Sequence, residues 1–302
     1  MICPVCRSPL RKEIDAWICD HCPSRYPIED GIADFSRGEY FDSFAPGQQL
    51  PPDHLRALEL EHAGAVRRIN DFYLPLIRER TATRVLDCGC GNGVSVDLLG
   101  RAGYEAWGND LSQLRKWQWR ERERRDRLVV ASGLALPFPD DYFDVVLSSG
   151  VIEHIGVTET PAPHYAVRAL PDRDEQRLKF VAELMRVVAP NGRIFIDCPN
   201  GAFPIDFWHG NAPGTIRMHS LREEFLPTFG EIRALVHRVD PRARVRALSP
   251  AKRLQFVQAS QRLHGKLLRF PMAILFRAMK VPGLRWIARS PLNPFLVVEC
   301  GA

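Results

Sequence analysis

A chain of 302 residues with 45% hydrophobic and 25% charged side chains is long enough for two domains and has the composition of a folded globular protein, which excludes a disordered or low-complexity chain. The net charge of +5 is unevenly spread: residues 217–289 hold 16 Lys or Arg against 4 Asp or Glu, and the remainder holds 25 against 32. The first residues, MICPVC, carry neither the basic region nor the apolar core of a secretory signal, and no uninterrupted apolar run reaches the length of a membrane span, so a cytoplasmic protein is expected.

In chain order, the first signal is a pair of Cys-x2-Cys steps, Cys3 with Cys6 and Cys19 with Cys22. Each step can clamp one side of a tetrahedral ion while the segment between them forms a hairpin, and in a reducing compartment such thiols point to metal rather than disulfides. Residues 1–36 therefore read as a structural zinc ribbon. His21 is an alternative fourth ligand, but symmetric pairing favours Cys22. Residues 37–54, with Gly38, Pro46, Gly47, Pro51 and Pro52, read as a linker. Helical spacing of Leu58, Ala65, Ile69, Phe72 and Ile77 predicts a helix over 55–79, on which Glu61 and His62 read either as contacts to substrate or cofactor or as surface residues, the surface reading being preferred.

Strands are predicted at 83–87, 104–108, 128–131, 143–149 and 193–198 with helices between them, the alternation of a parallel sheet covered on both faces. The stretch RVLDCGCGNG ends the first of these strands in a turn where Gly89, Gly91 and Gly93 let backbone lie close to a ligand. Asp110 follows about twenty residues later at the end of the next strand, where an acid can accept both ribose hydroxyls of a nucleotide. The run RKWQWRERERRDR at 115–127 interleaves acids with its arginines and reads as an exposed helix. Residues 156–176, rich in proline and polar side chains, form a loop at the carboxyl end of a strand and are expected to serve as a lid or part of an acceptor pocket. A sixth strand is predicted at 243–248 and a seventh at 294–300. Between them lies a helical insertion at 250–290, whose apolar residues are punctuated by Arg269, Arg277, Lys280, Arg285 and Arg289. Three readings of this basic part compete: an anionic membrane surface met by Phe270, Ile274 and Leu275, an RNA partner, and a solvated basic face.

These residues resemble a known family, the class I S-adenosylmethionine (SAM) methyltransferases of the type 11 subgroup, over about residues 60–200. The family's D-x-G-x-G-x-G falls on Asp87, Gly89, Gly91 and Gly93, with Cys88 and Cys90 at its variable positions. Its second-strand acid falls on Asp110, and its LPF-x-D-x-x-FD on Leu136, Pro137, Phe138, Asp140, Phe143 and Asp144. Its EH pair falls on Glu153 and His154, and its L-x-R-V-L-x-P-G-G on Leu184, Arg186, Val187, Pro190 and Gly192. Where the family places an adenine-binding Asp, this chain has Ser132. The resemblance implies an α/β fold, a Rossmann-like seven-stranded sheet with an antiparallel last strand, spanning 55–302. It implies SAM bound by Asp87, Cys88, Gly89, Cys90, Gly91 and Asn92, by Asp110 and Leu111, by Ser132, Gly133 and Leu134, and by Ser149, Gly150 and Val151.

The ribbon and its continuation Tyr26 to Ile32 resemble the small zinc-ribbon proteins that activate tRNA and protein methyltransferases, and a related ribbon fronts bacterial rRNA methyltransferases. That resemblance implies a docking or substrate-presenting role, because four thiolates leave zinc no open position. The implied reaction is methyl transfer from SAM to a small-molecule, glycan or lipid-linked acceptor, with His154 and then His209 as candidate general bases. An RNA methyltransferase and a catalytically silent SAM-fold binding or activator module are the alternatives.

Overall fold

The structure, a computed structural model, describes residues 1–45, 47–160, 164–210, 217–219, 223–253 and 263–301, with backbone alone at 53 and 263–266. Pro46 of the expected linker, 161–163 of the expected loop and 254–262 of the expected insertion lie outside the described residues. The chain forms two compact units, Met1–Ser148 with Ala182–Ile194, and Ser149–Val181 with Phe195–Ala302.

The first unit begins with a meander of short antiparallel strands: β1 (Leu10–Lys12), β2 (Ala16–Cys19), β3 (Arg25–Glu29) and β4 (Ile32–Asp34). Two tight turns bring the cysteine pairs together, one closed by Arg7 N–H on the Cys3 carbonyl at 2.8 Å and one by Cys19 N–H on the Ser24 carbonyl at 3.0 Å. Helix α1 (Pro52–Arg67) runs into a π-helical stretch at Arg68–Tyr73 and then α2 (Leu74–Arg78). The helix expected over 55–79 is thus present with an irregularity. Pro75 has no N–H to return to the preceding turn, and Leu74 N–H reaches back five residues to the Ile69 carbonyl, which absorbs the missing bond.

Alternation then sets in as predicted: β5 (Arg84–Cys88), α3 (Val94–Arg101), β6 (Glu105–Asp110), α4 (Gln113–Trp119), β7 (Leu128–Val130) and β8 (Phe143–Ser149). These strands pair parallel in the order β7-β6-β5-β8, and β4 joins the edge of β7 in parallel, with Ala33 opposite Val129. The sheet is therefore mixed, and the segment expected as a separate ribbon contributes its last strand to it. Further ties run from Ile2 N–H to the Pro137 carbonyl at 3.0 Å and from Arg7 to Glu183 at 2.5 Å.

Two sequence motifs gain a structural reason here. Arg186 donates to Asp140 at 2.7 Å and to the Phe138 carbonyl at 2.8 Å, and Glu183 accepts from Leu136 N–H at 2.8 Å, so the L-x-R and LPF-x-D segments lock each other. Asp144 accepts from the backbone N–H groups of Thr83 and Arg84 at 2.7 and 2.8 Å, and thereby fixes the start of β5.

In the second unit, the expected loop contains regular structure among its described residues: β9 (Val157–Thr160) and β10 (Ala166–Ala169) pair antiparallel, and their β-branched Val157, Thr158, Thr160 and Val167 suit a pleated ribbon. Then follow α5 (Arg173–Val187), β11 (Val188–Pro199), the two-residue pair β12 (Ile205–Asp206) and β13 (Arg217–Met218), α6 (Phe229–Val239), β14 (Arg244–Ala247), α7 (Leu263–Ala278) and β15 (Phe295–Gly301). Strand β15 neighbours β11 and pairs antiparallel with β14, as the resemblance implied for the last strand. In the basic insertion Phe276, Met279, Ile287 and Ala288 form a buried cluster, against which Leu275 packs. Leu275 therefore does not share the exposure expected of it beside Phe270 and Ile274, which are 75% and 54% exposed. Among the described residues no helix is long and apolar enough to cross a membrane.

Candidate functional site

In the first unit the buried strand β5 delivers Asp87 and Cys88 to a turn in which Gly89, Gly91 and Gly93 all have positive φ, at 81°, 56° and 76°. At Gly93 a Cβ would meet the Leu128 side chain at 2.8 Å and Trp119 at 3.0 Å, so glycine is required there by conformation and by space. Asn92 accepts from Val94 N–H at 3.1 Å and sets the start of α3. Asp110 turns toward the same loop, its Oδ2 accepting from Gly91 N–H at 3.0 Å. Burial raises the Asp110 carboxyl to about 6, against the opposing pull of Arg115 and of the Gly91 and Leu111 N–H groups. A carboxylate held this way keeps acceptor capacity for ligand hydroxyls, and the Cβ-free cradle beside it suits the backbone approach that a nucleoside needs.

Three residues of this neighbourhood escaped sequence reasoning. Glu61, read as a surface residue, lies against the turn: a Cβ on Gly91 would meet its Oε1 at 3.1 Å, and its Oε2 accepts from Arg115 at 2.8 Å. Trp119 is fully buried and donates its indole N–H to the Gly91 carbonyl at 2.8 Å. The basic run after β6 is thus partly turned inward, with Lys116 bonded to Asp34 and Glu29 at 2.7 Å each. Ionic partners for the run were visible as interleaved acids, but a tryptophan on its buried side was not. Cys88 and Cys90 are buried thiols whose proton affinity burial pushes up, which keeps them neutral.

Ser132 accepts from Leu134 N–H at 3.2 Å and is half-buried, like Gly133 and Leu134. Leu111 follows Asp110 at the end of β6, and Phe41 N–H bonds its carbonyl at 2.8 Å. Ser149, Gly150 and Val151 belong to the second unit, outside the group gathered around Asp110. The Ser149 hydroxyl is engaged there by Asp197 and Arg253, at 2.7 Å each, and Gly150 N–H donates to the Asp197 carbonyl at 2.8 Å. A cleft of about 390 Å³ in the first unit is lined by Tyr26, Asp34, Tyr40, Lys116 and Trp117 among others, none of them from the glycine turn.

The four ribbon thiols, Cys3, Cys6, Cys19 and Cys22, lie within 4.8 Å of one another, with Cys3 and Cys22 at 3.6 Å and Cys6 and Cys19 at 3.4 Å. A tetrahedral S4 zinc site has sulfur edges of about 3.8 Å, so the donor set and its spacing fit that ion.

The second unit brings His154 and His209 together, with ring centroids 5.2 Å apart and both edge-on to Phe225. His154 follows β8 in a short 3-10 turn, and its Nδ1 is hydrogen-bonded to Glu159 of β9. Glu159 also accepts from the Tyr165 hydroxyl at 2.7 Å. His209 Nδ1 lies 3.0 Å from the buried Asp206 carboxylate, which Arg217 meets at 3.1 Å. Burial pulls the His154 imidazole down, but the Glu159 hydrogen bond and the charges of Glu153, Glu159 and Asp206 outweigh it and raise its pKa. Burial would raise Asp206 as well, yet His209 and the N–H groups of Trp208 and His209 hold it below the usual carboxylate range. A carboxylate only accepts, so each ring carries its proton on Nδ1 and presents the Nε2 lone pair when neutral. The two candidate bases are thereby one cluster. Its supporting residues, Glu159, Tyr165 and Arg217, carried no signal of their own in the sequence.

Residues 86–196 match the family model described as a methyltransferase domain. The chain is 28% identical over 154 residues to a protein of Mycobacterium tuberculosis named a probable S-adenosylmethionine-dependent methyltransferase, a stretch that is 51% of this chain and 47% of that one. It is 34% identical over 125 residues to the chloroplastic tocopherol O-methyltransferase of Arabidopsis thaliana, covering 39% of this chain and 30% of the relative. The chain thus spans about half the length of the mycobacterial relative and less of the plant one. A solved chain from the complex between the Haloferax volcanii Trm112 methyltransferase activator and a methyltransferase is similar at 16% identity and a TM-score of 0.49, covering 83% of this chain and 96% of that one. The matched segment holds most of β5, β6 to β8 and most of β11, the glycine turn and both members of the EH pair, and so includes residues of both units.

Proposed function

We propose that the chain is a SAM-dependent methyltransferase whose first unit holds SAM and whose second unit handles a hydroxyl-bearing, lipid-linked acceptor. The observation that carries this reading is the Asp110 carboxylate bonded to Gly91 N–H within a glycine turn that tolerates no Cβ at Gly93. When bound, SAM supplies a methyl group already activated on a sulfonium. Asp110 would accept the ribose hydroxyls, the turn from Asp87 to Asn92 would offer backbone at close approach with Leu111 flanking the acid, and Ser132, Gly133 and Leu134 are the residues assigned to the adenine. Transfer would join the acceptor oxygen to the methyl carbon as the carbon–sulfur bond breaks and its electron pair returns to sulfur. The hydroxyl proton passes to an imidazole Nε2 of the His154 and His209 pair, whose rings Glu159 and Asp206 hold in place. A hydroxyl acceptor agrees with the O-methyltransferase name of the plant relative.

The four cysteines hold one structural zinc ion in this reading, which closes the ribbon and leaves no coordination position for chemistry. The acceptor's class rests on α7 and the segment after it. Leu267, Phe270, Ile274, Val281 and Trp286 are exposed there, among exposed Arg269, Arg277, Lys280 and Arg285. Apolar side chains interspersed with cations on one exposed segment suit the edge of an anionic bilayer.

Labelled SAM incubated with cell extract separates the readings. Label in the lipid fraction, absent with Asp110→Ala, is the expected result. Label in RNA supports the rRNA-like alternative, and absence of SAM binding by calorimetry leaves only a silent binding module. Sedimentation of the protein with anionic phospholipid vesicles, weakened by salt and by Ile274→Asp, is expected alongside. Binding to RNA with a steep salt slope and no response to Ile274→Asp would contradict the membrane reading.

A further inference from the structure

We propose that Glu153, His154 and His209 form a second metal site, one that takes a first-row divalent ion of the zinc, iron or cobalt kind and keeps positions open for an acceptor oxygen. One ligand atom from each of the three side chains lies within 4.8 Å of the others. Both rings have Nδ1 held by a carboxylate, His154 by Glu159 and His209 by Asp206, which leaves Nε2 as the coordinating atom. Metal-ligating histidines are supported in just this way, because a carboxylate on the far nitrogen fixes the tautomer and raises the basicity of the near one.

The independent sign is Glu153. It is 1% exposed, and its Oε2 has no hydrogen-bond partner among the described residues. Arg177 approaches it at 3.1 Å but donates to its backbone carbonyl and not to its side chain. An ionised carboxylate buried without a partner is costly, and a cation on that oxygen removes the cost. The guanidinium beside the cluster does not reach it: Arg217 is bonded to Asp206 and Glu223. Glu159 and Asp206 are taken up by His154, His209 and Arg217, which leaves Glu153 Oε2 as the carboxylate oxygen of the cluster without a partner among the described residues.

The donor set decides which ion. Two imidazoles and one carboxylate suit zinc, iron or cobalt, whereas magnesium and calcium prefer oxygen alone. Three protein ligands leave coordination positions open, in contrast to the closed set of four thiolates in the ribbon. With the ion bound, both Nε2 lone pairs would be engaged and the two rings would act as ligands in place of general bases; an acceptor hydroxyl at an open position would then release its proton to solvent or a neighbouring carboxylate. That role rests on the methyl-transfer reading; the binding of the ion does not.

Cobalt(II) titration of the full chain, followed by absorption and calorimetry, tests the site. Two equivalents are expected: one with strong thiolate charge-transfer absorption from the four cysteines, and one with only weak bands. Glu153→Gln, which keeps size and polarity, and His209→Ala should each weaken the second equivalent tenfold or more and leave the thiolate band in place. Asp206→Asn, a change at a positioning residue, should weaken it less. A single equivalent in the wild type, or a second one that neither Glu153→Gln nor His209→Ala affects, overturns the site. SAM binding measured on the same samples keeps the two readings apart: its persistence without a second cobalt ion sinks the metal site alone, and its absence sinks the methyl-transfer reading while the cobalt result stands.

Discussion

The glycine turn of the first unit and the histidine cluster of the second are built by opposite means. The turn is contiguous backbone, with Asp87 to Gly93 in sequence and one distant acid, Asp110, to complete it. The cluster is side chains from separate segments: His154 from the turn after β8, Glu159 and Tyr165 from the β9–β10 hairpin region, Asp206 and His209 from β12 and beyond, and Arg217 from β13. A site made of backbone conformation writes itself into local sequence, because glycine accepts those dihedrals at the least steric cost. A site made of converging side chains leaves only isolated polar residues to be read.

The comparison can be broken most forcefully at the ribbon, whose strand β4 lies on the sheet that carries the turn. Deleting residues 1–36 strips the partner from β7 and removes Arg7 from Glu183, and destabilisation on the order of 3–5 kcal/mol is expected in chemical denaturation, as for loss of a buried network. An unchanged midpoint with SAM affinity intact would show that the ribbon is an appendage. At the turn itself, Gly93→Ala forces a positive φ on a side chain that meets Leu128 and Trp119, and should lower stability by about 2–3 kcal/mol. A loss under about 0.5 kcal/mol would mean that the turn is looser than its geometry.

The cluster should respond differently. Tyr165→Phe removes one hydrogen bond to Glu159 from a partly buried network, for a loss of about 0.5–1.5 kcal/mol and no change in SAM affinity. Weakened SAM binding in that variant would contradict the separation of roles between the turn and the cluster. The smallest effect on SAM affinity is expected at Trp119→Phe, which keeps an aromatic ring but loses the donor to the Gly91 carbonyl and part of a fully buried side chain. SAM affinity should fall by about 1 kcal/mol or less.

How much was legible follows the same division. Strand β8 occupies the predicted 143–149, β5 and β6 lie within two residues of expectation at each end, and the antiparallel pair β14–β15 falls where the family resemblance placed it. The helix over 55–79 was visible by its period, but not the π-helical stretch that Pro75 enforces, since a hydrophobic period does not report which carbonyl an N–H reaches. Likewise His154 and His209 were each legible as candidates, from the EH pair and from the aromatic run around Trp208. Their closeness was not, because it depends on how the segments after β8 and β11 fold back. Trp119 goes unrecognised in the sequence, and Glu61 reads there as a surface residue in preference to a ligand contact, for the converse reason: both sit in charge-rich helical stretches that read as solvent faces, and only the close approach of α1 and α4 to the turn shows otherwise.

The claim that Asp110 and the glycine turn hold SAM is tested most directly by calorimetric titration of SAM into the wild type and Asp110→Ala across a pH series. Burial raises the Asp110 carboxyl to about 6, and only the ionised form accepts both ribose hydroxyls. Wild-type affinity should therefore be full above about pH 6 and fall as the pH drops through that value, since binding must then displace a proton. Asp110→Ala should bind more weakly at neutral pH by about 1.5–3 kcal/mol and show no such fall. Equal affinities for the two proteins, with the same pH profile, would contradict the assignment of the cofactor site.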